Sequence, residues 1–279
     1  MIKKNNKFDL SANNALITGA AGLLGLEHAK ALLEVDCSVV LTDVNHENLQ
    51  STYLKLKEKY NPKKIKMMLM DVTSEISVTS VLDALNQKKI FIDILVNNAA
   101  VDPKVNEDMN ILSPSRLENF DLEQWNNQIA VGLTGALNCI KVFGYEMSKS
   151  KSDCVILNIA SDLSVIAPDQ RIYKIDGIDK DKQQVKPVTY SVIKSGLIGL
   201  TKYVATYWAN NGVRCNALSP GGVFNNQSET FVSRLRNLIP MDRMAKKDEY
   251  HGAIQFLCSE ASSYMNGQNI IIDGGRSIW

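Results

Sequence analysis

The 279-residue chain has almost no charge surplus: 31 lysines and arginines stand against 30 aspartates and glutamates, a net charge of +1. That balance excludes a broad basic face for nucleic acid or an anionic membrane surface. No apolar run reaches the roughly 18 residues a transmembrane helix needs. The opening Met-Ile-Lys-Lys-Asn-Asn-Lys, running into Phe8, Asp9 and Leu10, has no apolar signal core, so a cytoplasmic chain is expected. Cysteine is sparse and odd in number. Cys37, Cys139, Cys154, Cys215 and Cys258 form no C-x-x-C pair and read as buried thiols in a reducing compartment. Histidine is rarer still: His28, His46 and His251 are far apart in sequence, so no metal site is expected and catalysis must rest on other groups. Internal repeats and low-complexity tracts are missing too. What remains, 45% hydrophobic and 22% charged residues, is the composition of an ordinary globular protein with a sizeable core.

Apolar runs alternate with amphipathic ones along the whole length. Residues 15–18, 38–42, 64–70, 91–96, 154–159, 213–218 and 269–272 predict strands, and 24–34, 48–60, 76–85, 123–147, 188–209 and 248–257 predict helices. Continuously apolar strands separated by helices imply an α/β fold: one Rossmann-type, doubly wound parallel sheet with helices on both faces, as a single domain over 1–279. Two segments break the rhythm, the polar loop 102–121 and the charged stretch 168–187. In open α/β sheets ligands bind beyond the carboxyl ends of the strands, so both are expected to wall an active site. Within the second, Asp176, Asp179, Lys180, Asp181 and Lys182 read as a solvated face or a substrate clamp.

The first strand-to-helix connection, Thr18-Gly-Ala-Ala-Gly-Leu-Leu-Gly25, has the ingredients of a pyrophosphate cradle. Glycines allow a tight turn and close approach of backbone N–H groups, and a helix N-terminus adds partial positive charge. The candidate contacts there are Gly19, Gly22, Leu24 and Gly25. Asp43 ends the second strand 18 residues beyond Gly25. A carboxylate at that place accepts ribose hydroxyls and repels a 2′-phosphate, which favours NAD over NADP.

Tyr190 and Lys194 are the catalytic candidates. An ammonium one helical turn from a phenol favours the phenolate and suits proton transfer near neutrality. The spacing alone is weak, because Tyr-x-x-x-Lys also occurs at Tyr53/Lys57, Tyr60/Lys64 and Tyr145/Lys149. Only Tyr190 opens a helix with a small, apolar face, and it follows a strand that runs into Ser161.

Taken together, the Gly19 loop, Asp43, Asp71-Val72, Asn97-Asn-Ala-Ala100, Ser161, Tyr190/Lys194, Ser219-Pro-Gly-Gly222 and Asp273-Gly-Gly275 resemble the short-chain dehydrogenase/reductase family over nearly the whole chain. The resemblance implies a nicotinamide-dependent oxidoreductase for an alcohol/carbonyl pair. It implies Tyr190 as general acid/base, Ser161 as ligand of the substrate oxygen, and Lys194 on both the tyrosine and the nicotinamide ribose. It also implies adenine contacts from Asp71 and Val72, adenosine-side contacts from Asn97 and Ala99, and nicotinamide-side contacts from Pro220, Gly221 and Val223.

The chain departs from the family pattern in three places. Leu23 stands where the loop's second glycine falls. Gly132 stands where an asparagine anchors a water relay to the lysine. Ser161 and Tyr190 are 29 residues apart, widened by the 168–187 insertion, with Ser164 as an alternative serine. Within the family, Ala-Pro-Asp-Gln and Lys-Pro-Val-Thr-Tyr-Ser resemble the bacterial flagellin-modification protein A group, which implies a sugar or sugar-nucleotide substrate from surface-glycan synthesis. The alternatives are a 3-oxoacyl-carrier-protein reductase, which calls for NADP and a basic docking patch, and a non-catalytic dinucleotide-binding regulator, suggested by Gly132. The family implies a homodimer or homotetramer built through 123–147 and 188–209, and the apolar tip 276–279 suggests a reach into a neighbour.

Overall fold

The computed structural model describes residues 6–101, 115–150 and 152–279. Seven strands form one parallel sheet in the order β3-β2-β1-β4-β5-β6-β7: β1 (Asn14–Thr18), β2 (Ser38–Asp43), β3 (Ile65–Leu69), β4 (Ile94–Asn97), β5 (Cys154–Ile159), β6 (Val213–Pro220) and β7 (Asn269–Ile272). The α/β, Rossmann-type class expected from the apolar runs is what the chain adopts. The strands are mostly apolar on both sides because successive side chains point to opposite faces and both faces are covered. Ile17, Leu41 and Val96 enter one core with α1 (Leu23–Glu34) and α9 (His251–Cys258), while Leu16, Val40 and Leu95 enter the other. That second face is covered by α3 (Glu75–Gln87), α7 (Val188–Tyr207) and a long helical run over 122–149.

Several boundaries moved, each for a local reason. The helix expected at 48–60 is α2 (His46–Lys57), because Asn45 caps it, its Oδ1 accepting from Asn48 N–H at 2.9 Å. The strand expected from 91 starts at Ile94, since Asn14 diverts the preceding backbone: its Nδ2 donates to the Phe91 carbonyl at 2.9 Å and its N–H to the Asp93 carboxylate at 2.8 Å. The helix expected from 248 starts at His251, after a turn in which Glu249 accepts from Lys246 N–H at 2.7 Å. The long run is not one regular helix. It passes through α4 (Leu122–Ile129), α5 (Gly135–Cys139) and α6 (Tyr145–Lys149), joined by π-helical turns at Ala130–Thr134 and Ile140–Gly144. An additional helix, α8 (Glu229–Arg236), had no counterpart among the expected elements, although Ser228 before it is a legible cap whose Oγ accepts from Phe231 N–H.

The strand order places a switch point between β1 and β4, where successive connections run in opposite directions along the sheet. In open α/β sheets ligands bind at such a point, in the crevice beyond the carboxyl ends of the strands. No helix among the described residues is long and apolar enough to cross a membrane, and all five cysteines are buried and unpaired.

Candidate active site

The glycine loop lies at that crevice and is held almost entirely by backbone. Gly19 takes a left-handed φ of +62°, and a Cβ there would come within 2.8 Å of Ala99 Cα. A Cβ on Gly25 would lie 2.3 Å from the Gly19 carbonyl oxygen, so only glycine fits where α1 passes under the turn. Asn98 clamps the same turn: its Nδ2 donates to the carbonyls of Thr18 and Gly19, both at 3.0 Å, and its N–H donates to Thr18 Oγ1. Ala99 N–H reaches the same Thr18 hydroxyl at 2.9 Å.

The Leu23 departure leaves this cradle whole. Leu23 is the first residue of α1 with a partly exposed side chain, and Gly22 takes the N-cap without any side-chain cap. The first-turn N–H groups of α1, including Leu24, therefore keep no side-chain acceptor, which suits a phosphate. Asp43 stands at the rim, one carboxylate oxygen accepting from Ala21 N–H at 3.1 Å and the other from Asn45 N–H at 3.0 Å. Each of these oxygens retains a lone pair for a ribose hydroxyl. Glycines that a Cβ would crowd, an uncapped helix start and a rim carboxylate together fit a dinucleotide.

Further along the rim, Asp71 folds into a tight turn, its carboxylate accepting from the N–H and hydroxyl of Thr73. Val72 is buried against Gly135, and its carbonyl accepts from Asn138. Asn97 differs from its expected role as far as its side chain goes. That side chain is buried in the sheet, its Nδ2 donating to Asn158 Oδ1 at 2.9 Å, and Asn158 passes the chain of hydrogen bonds on to Thr201 of α7. Only the Asn97 backbone is placed to meet a ligand. Pro220 ends β6, Gly221 N–H donates to the Ile272 carbonyl at 2.8 Å, and Val223 pairs with Ala245 beside them.

The catalytic candidates gather at the end of β5. Lys194 is buried on α7 and its Nζ donates to the Ile159 carbonyl at 2.8 Å, two residues before Ser161. The same ammonium lies 5.7 Å from the Tyr190 ring centroid, one turn earlier on the helix. A second cation, unforeseen in the sequence, faces that ring: Lys186 Nζ is 3.8 Å from its centroid. Positive charge against a phenol favours the phenolate. Ser161 is buried, donating to Asp162 Oδ1 at 2.8 Å and accepting from Leu163 N–H at 3.2 Å. The alternative serine, Ser164, is tied elsewhere, sharing a hydrogen bond with Ser219 at 3.0 Å. Gly132 sits in the first π-turn against α7, where a Cβ would meet Ile193 Cγ2 at 2.8 Å. Ile193 therefore occupies the space that a side chain at position 132 would need.

The insertion 168–187 folds over this end of the sheet. Ile172 is buried with Leu235, Ile239 and Met244, and Tyr173 packs on Phe231 of α8 with centroids 5.6 Å apart. Arg116 Nη1 donates to the Lys180 carbonyl at 3.0 Å, and Val185 N–H donates to Ser115 Oγ. Its charged residues, Asp176, Asp179, Lys180, Asp181 and Lys182, are exposed. Residues 102–114 of the polar loop lie outside the described residues. The C-terminal tip turns back onto its own chain, Trp279 Nε1 donating to the Leu238 carbonyl at 3.1 Å. Among the described residues no cluster of histidine, cysteine, aspartate or glutamate could hold a metal ion.

Comparison with known proteins agrees with this geometry. Residues 19–277 match the family model described as enoyl-(acyl carrier protein) reductase. The chain is 29% identical over 276 residues to the D-threitol dehydrogenase of Mycolicibacterium smegmatis (97% of this chain, 95% of that one). It is 30% identical over 274 residues to the 3-oxoacyl-[acyl-carrier-protein] reductase of Thermotoga maritima (96% and 99%). To the post-translational flagellin modification protein A of Campylobacter coli it is 26% identical over 259 residues (93% and 96%). Among solved structures, a gluconate 5-dehydrogenase from Burkholderia cenocepacia in complex with NADP and tartrate superposes with a TM-score of 0.82 at 27% identity (97% of each chain). A short-chain dehydrogenase from Leptospira borgpetersenii with bound NAD+ gives 0.83 at 29% identity (100% and 98%). With its parallel sheet, glycine cradle and tyrosine–lysine helix, the chain belongs to the short-chain dehydrogenase/reductase family and is an NAD(P)-dependent oxidoreductase.

Proposed function

We propose that this enzyme prefers NAD and interconverts a hydroxyl and a carbonyl on a polyhydroxylated small molecule, a sugar, sugar acid or sugar nucleotide. The observation that carries the reading is the arrangement at the end of β5: Lys194 bonded to the Ile159 carbonyl, its charge and that of Lys186 on Tyr190, and Ser161 two residues further on. In this reading Tyr190 Oη exchanges a proton with the substrate oxygen, Ser161 Oγ hydrogen-bonds that oxygen, and Lys194 stabilises the phenolate. The bound nicotinamide supplies or accepts the hydride. Gly19, Gly22, Leu24 and Gly25 hold the pyrophosphate, and Asp43 takes the adenosine ribose. Asp71, Val72, Asn97 and Ala99 line the adenosine side, and Pro220, Gly221 and Val223 the nicotinamide side.

The substrate class is supported by relatives whose names specify threitol and gluconate, and a surface-glycan setting by the Campylobacter protein. A cytoplasmic, single-domain enzyme agrees with five buried thiols. Assembly as a dimer or tetramer is supported by the exposed Leu137 and Tyr145 on one helical run and by Tyr203 and Tyr207, stacked and exposed, on α7. The second reading, a 3-oxoacyl-carrier-protein reductase, is favoured by the Thermotoga relative and opposed by Asp43, whose carboxylate would repel a 2′-phosphate.

Titration of NADH and NADPH side by side, followed by a screen of polyols, sugar acids and sugar nucleotides, tests both. NADH is expected to bind at least about tenfold more tightly. Tyr190→Phe is expected to lower turnover by about 100-fold or more while cofactor binding stays. Tighter NADPH binding with turnover of acyl substrates supports the reductase instead. Cofactor binding without any turnover by the wild type supports a regulator.

A further inference from the structure

We infer that Asp162 and Arg276 are positioning residues for Ser161, so that the last helical turn of the chain sets the geometry of the active site. The inference rests on Ser161 being the substrate-oxygen ligand proposed above.

Ser161 has an extended backbone and caps the short turn Asp162–Ser164 that follows β5. Both hydrogen bonds of its hydroxyl are made to the next two residues: Oγ accepts from Leu163 N–H and donates to Asp162 Oδ1. Asp162 Oδ1 also accepts from Leu163 N–H at 2.9 Å, while Oδ2 accepts from Arg276 Nη1 at 2.8 Å. The pair is enclosed, its side chains 4% and 8% exposed. A carboxylate in such a place is costly unless a cation meets it, and an ionised carboxylate only accepts hydrogen bonds. Arg276 therefore holds the Asp162 carboxylate in place, and Asp162 Oδ1 and Leu163 N–H together fix Ser161 Oγ. The hydroxyl's single proton rests on Asp162 and turns to the substrate oxygen when substrate binds.

Arg276 is itself fixed. It opens the turn Arg276–Ile278, which Asp273 anchors by accepting from Gly275 N–H at 2.9 Å and Ser277 N–H at 2.8 Å. Gly274 and Gly275 enter that turn with φ of +68° and +89°, and Trp279 closes it onto Leu238. Arg276 and Asp162 are 114 residues apart in sequence, and the contact joins the C-terminus to the loop beyond β5.

The test uses the full chain and the substrate found in the screen. Asp162→Asn and Arg276→Met are each expected to lower kcat/KM for the alcohol by about tenfold or more with the NADH Kd unchanged, as for a displaced reacting group. Arg276→Lys should recover part of the loss. In a Ser161→Ala background, Asp162→Asn should cost no more than about twofold further; losses that multiply would mean that Asp162 does not act through Ser161. Because a lone buried charge can itself unfold the chain, the double variant Asp162→Asn/Arg276→Met keeps the test open. It should fold and remain slow, and full activity in it overturns the inference. Crystal structures of the wild type and the double variant give a readout without turnover. Ser161 Oγ should leave Leu163 N–H in the variant, and an unmoved Ser161 rejects the positioning role. A wild type inactive on every alcohol counts against the dehydrogenase reading, and the crystallographic comparison still decides the role of the pair.

Discussion

The two walls of the crevice are built on different principles. On the β1–β2 side, the glycine loop is held by backbone approach, Gly19 against Ala99 and Gly25 against the Gly19 carbonyl, with the Asn98 side chain clamping two of its carbonyls. On the β5–β6 side, the insertion is held by side chains, with Ile172 and Tyr173 on α8 and an ion pair at Arg171–Asp169 on the surface. Backbone contacts leave no atom to spare, so the first wall resists any added carbon. Side-chain contacts can be repacked or lost piecemeal, so the second wall is the one that can vary to suit a substrate.

The largest effect on cofactor binding that would break this contrast is expected at Gly25. Gly25→Ala forces a Cβ toward the Gly19 carbonyl oxygen and should cost about 1–3 kcal/mol of stability together with NADH binding. Calorimetric titration and thermal unfolding measure both, and a variant that binds NADH normally would refute the backbone-held cradle. On the other wall, Ile172→Ala removes a buried side chain at a local cost of about 2–4 kcal/mol. The expected outcome is a raised substrate KM and faster proteolysis within 168–187, with the NADH Kd unchanged. Loss of cofactor binding there would mean that the two walls are not independent.

A third effect is a pH dependence confined to the cofactor wall. His28 of α1 is buried, and among the described residues neither ring nitrogen has a hydrogen-bond partner. Burial, aided by nearby His251, lowers its pKa from 6.5 to about 3. The contribution of His28 is therefore complete above pH 6.5. It is lost as pH falls from 6.5 toward 3, because the unfolded chain takes up a proton that the folded one refuses. His28→Leu should reduce the slope of unfolding free energy against pH in that window by about 1.4 kcal/mol per unit. Unfolding in urea at pH 7, 6 and 5 checks this, and equal slopes would mean that His28 takes up its proton in the fold. The smallest effect belongs to the insertion's surface. Arg171→Ala, at a side chain 87% exposed, should leave the midpoint of urea unfolding at the wild-type value, which separates the outer face of that wall from its packed inner face.

The two walls also differ in how far they could be read from sequence. Gly19, Gly25 and Asp43 were legible because a turn and a strand end are local: their spacing alone brings them to one rim. Tyr190 and Lys194 were legible for the same reason, one helical turn apart. Lys186 over the Tyr190 ring was not, since nothing before Pro187 announces which way that residue points. The insertion reads as charged, and its charges are indeed exposed, but its apolar residues fit a helix, α8, some sixty positions downstream that had no expected counterpart. The family resemblance implies an adenosine-side contact from Asn97, but says nothing of where its side chain goes. It turns inward because Asn158 of the adjacent strand stands in register with it.

By itself, the order of apolar runs, glycines and polar strand ends determined the succession of strands and helices, the α/β class, the glycine turn and the tyrosine–lysine pair, because each is read from the local run of residues. The strand order joins segments tens of residues apart. Tertiary structure alone decided which serine is free of β6, which cations face Tyr190, and that Arg276 meets Asp162. Those choices depend on side chains that come together only when strands and turns far apart in the chain are packed, and no local preference encodes them.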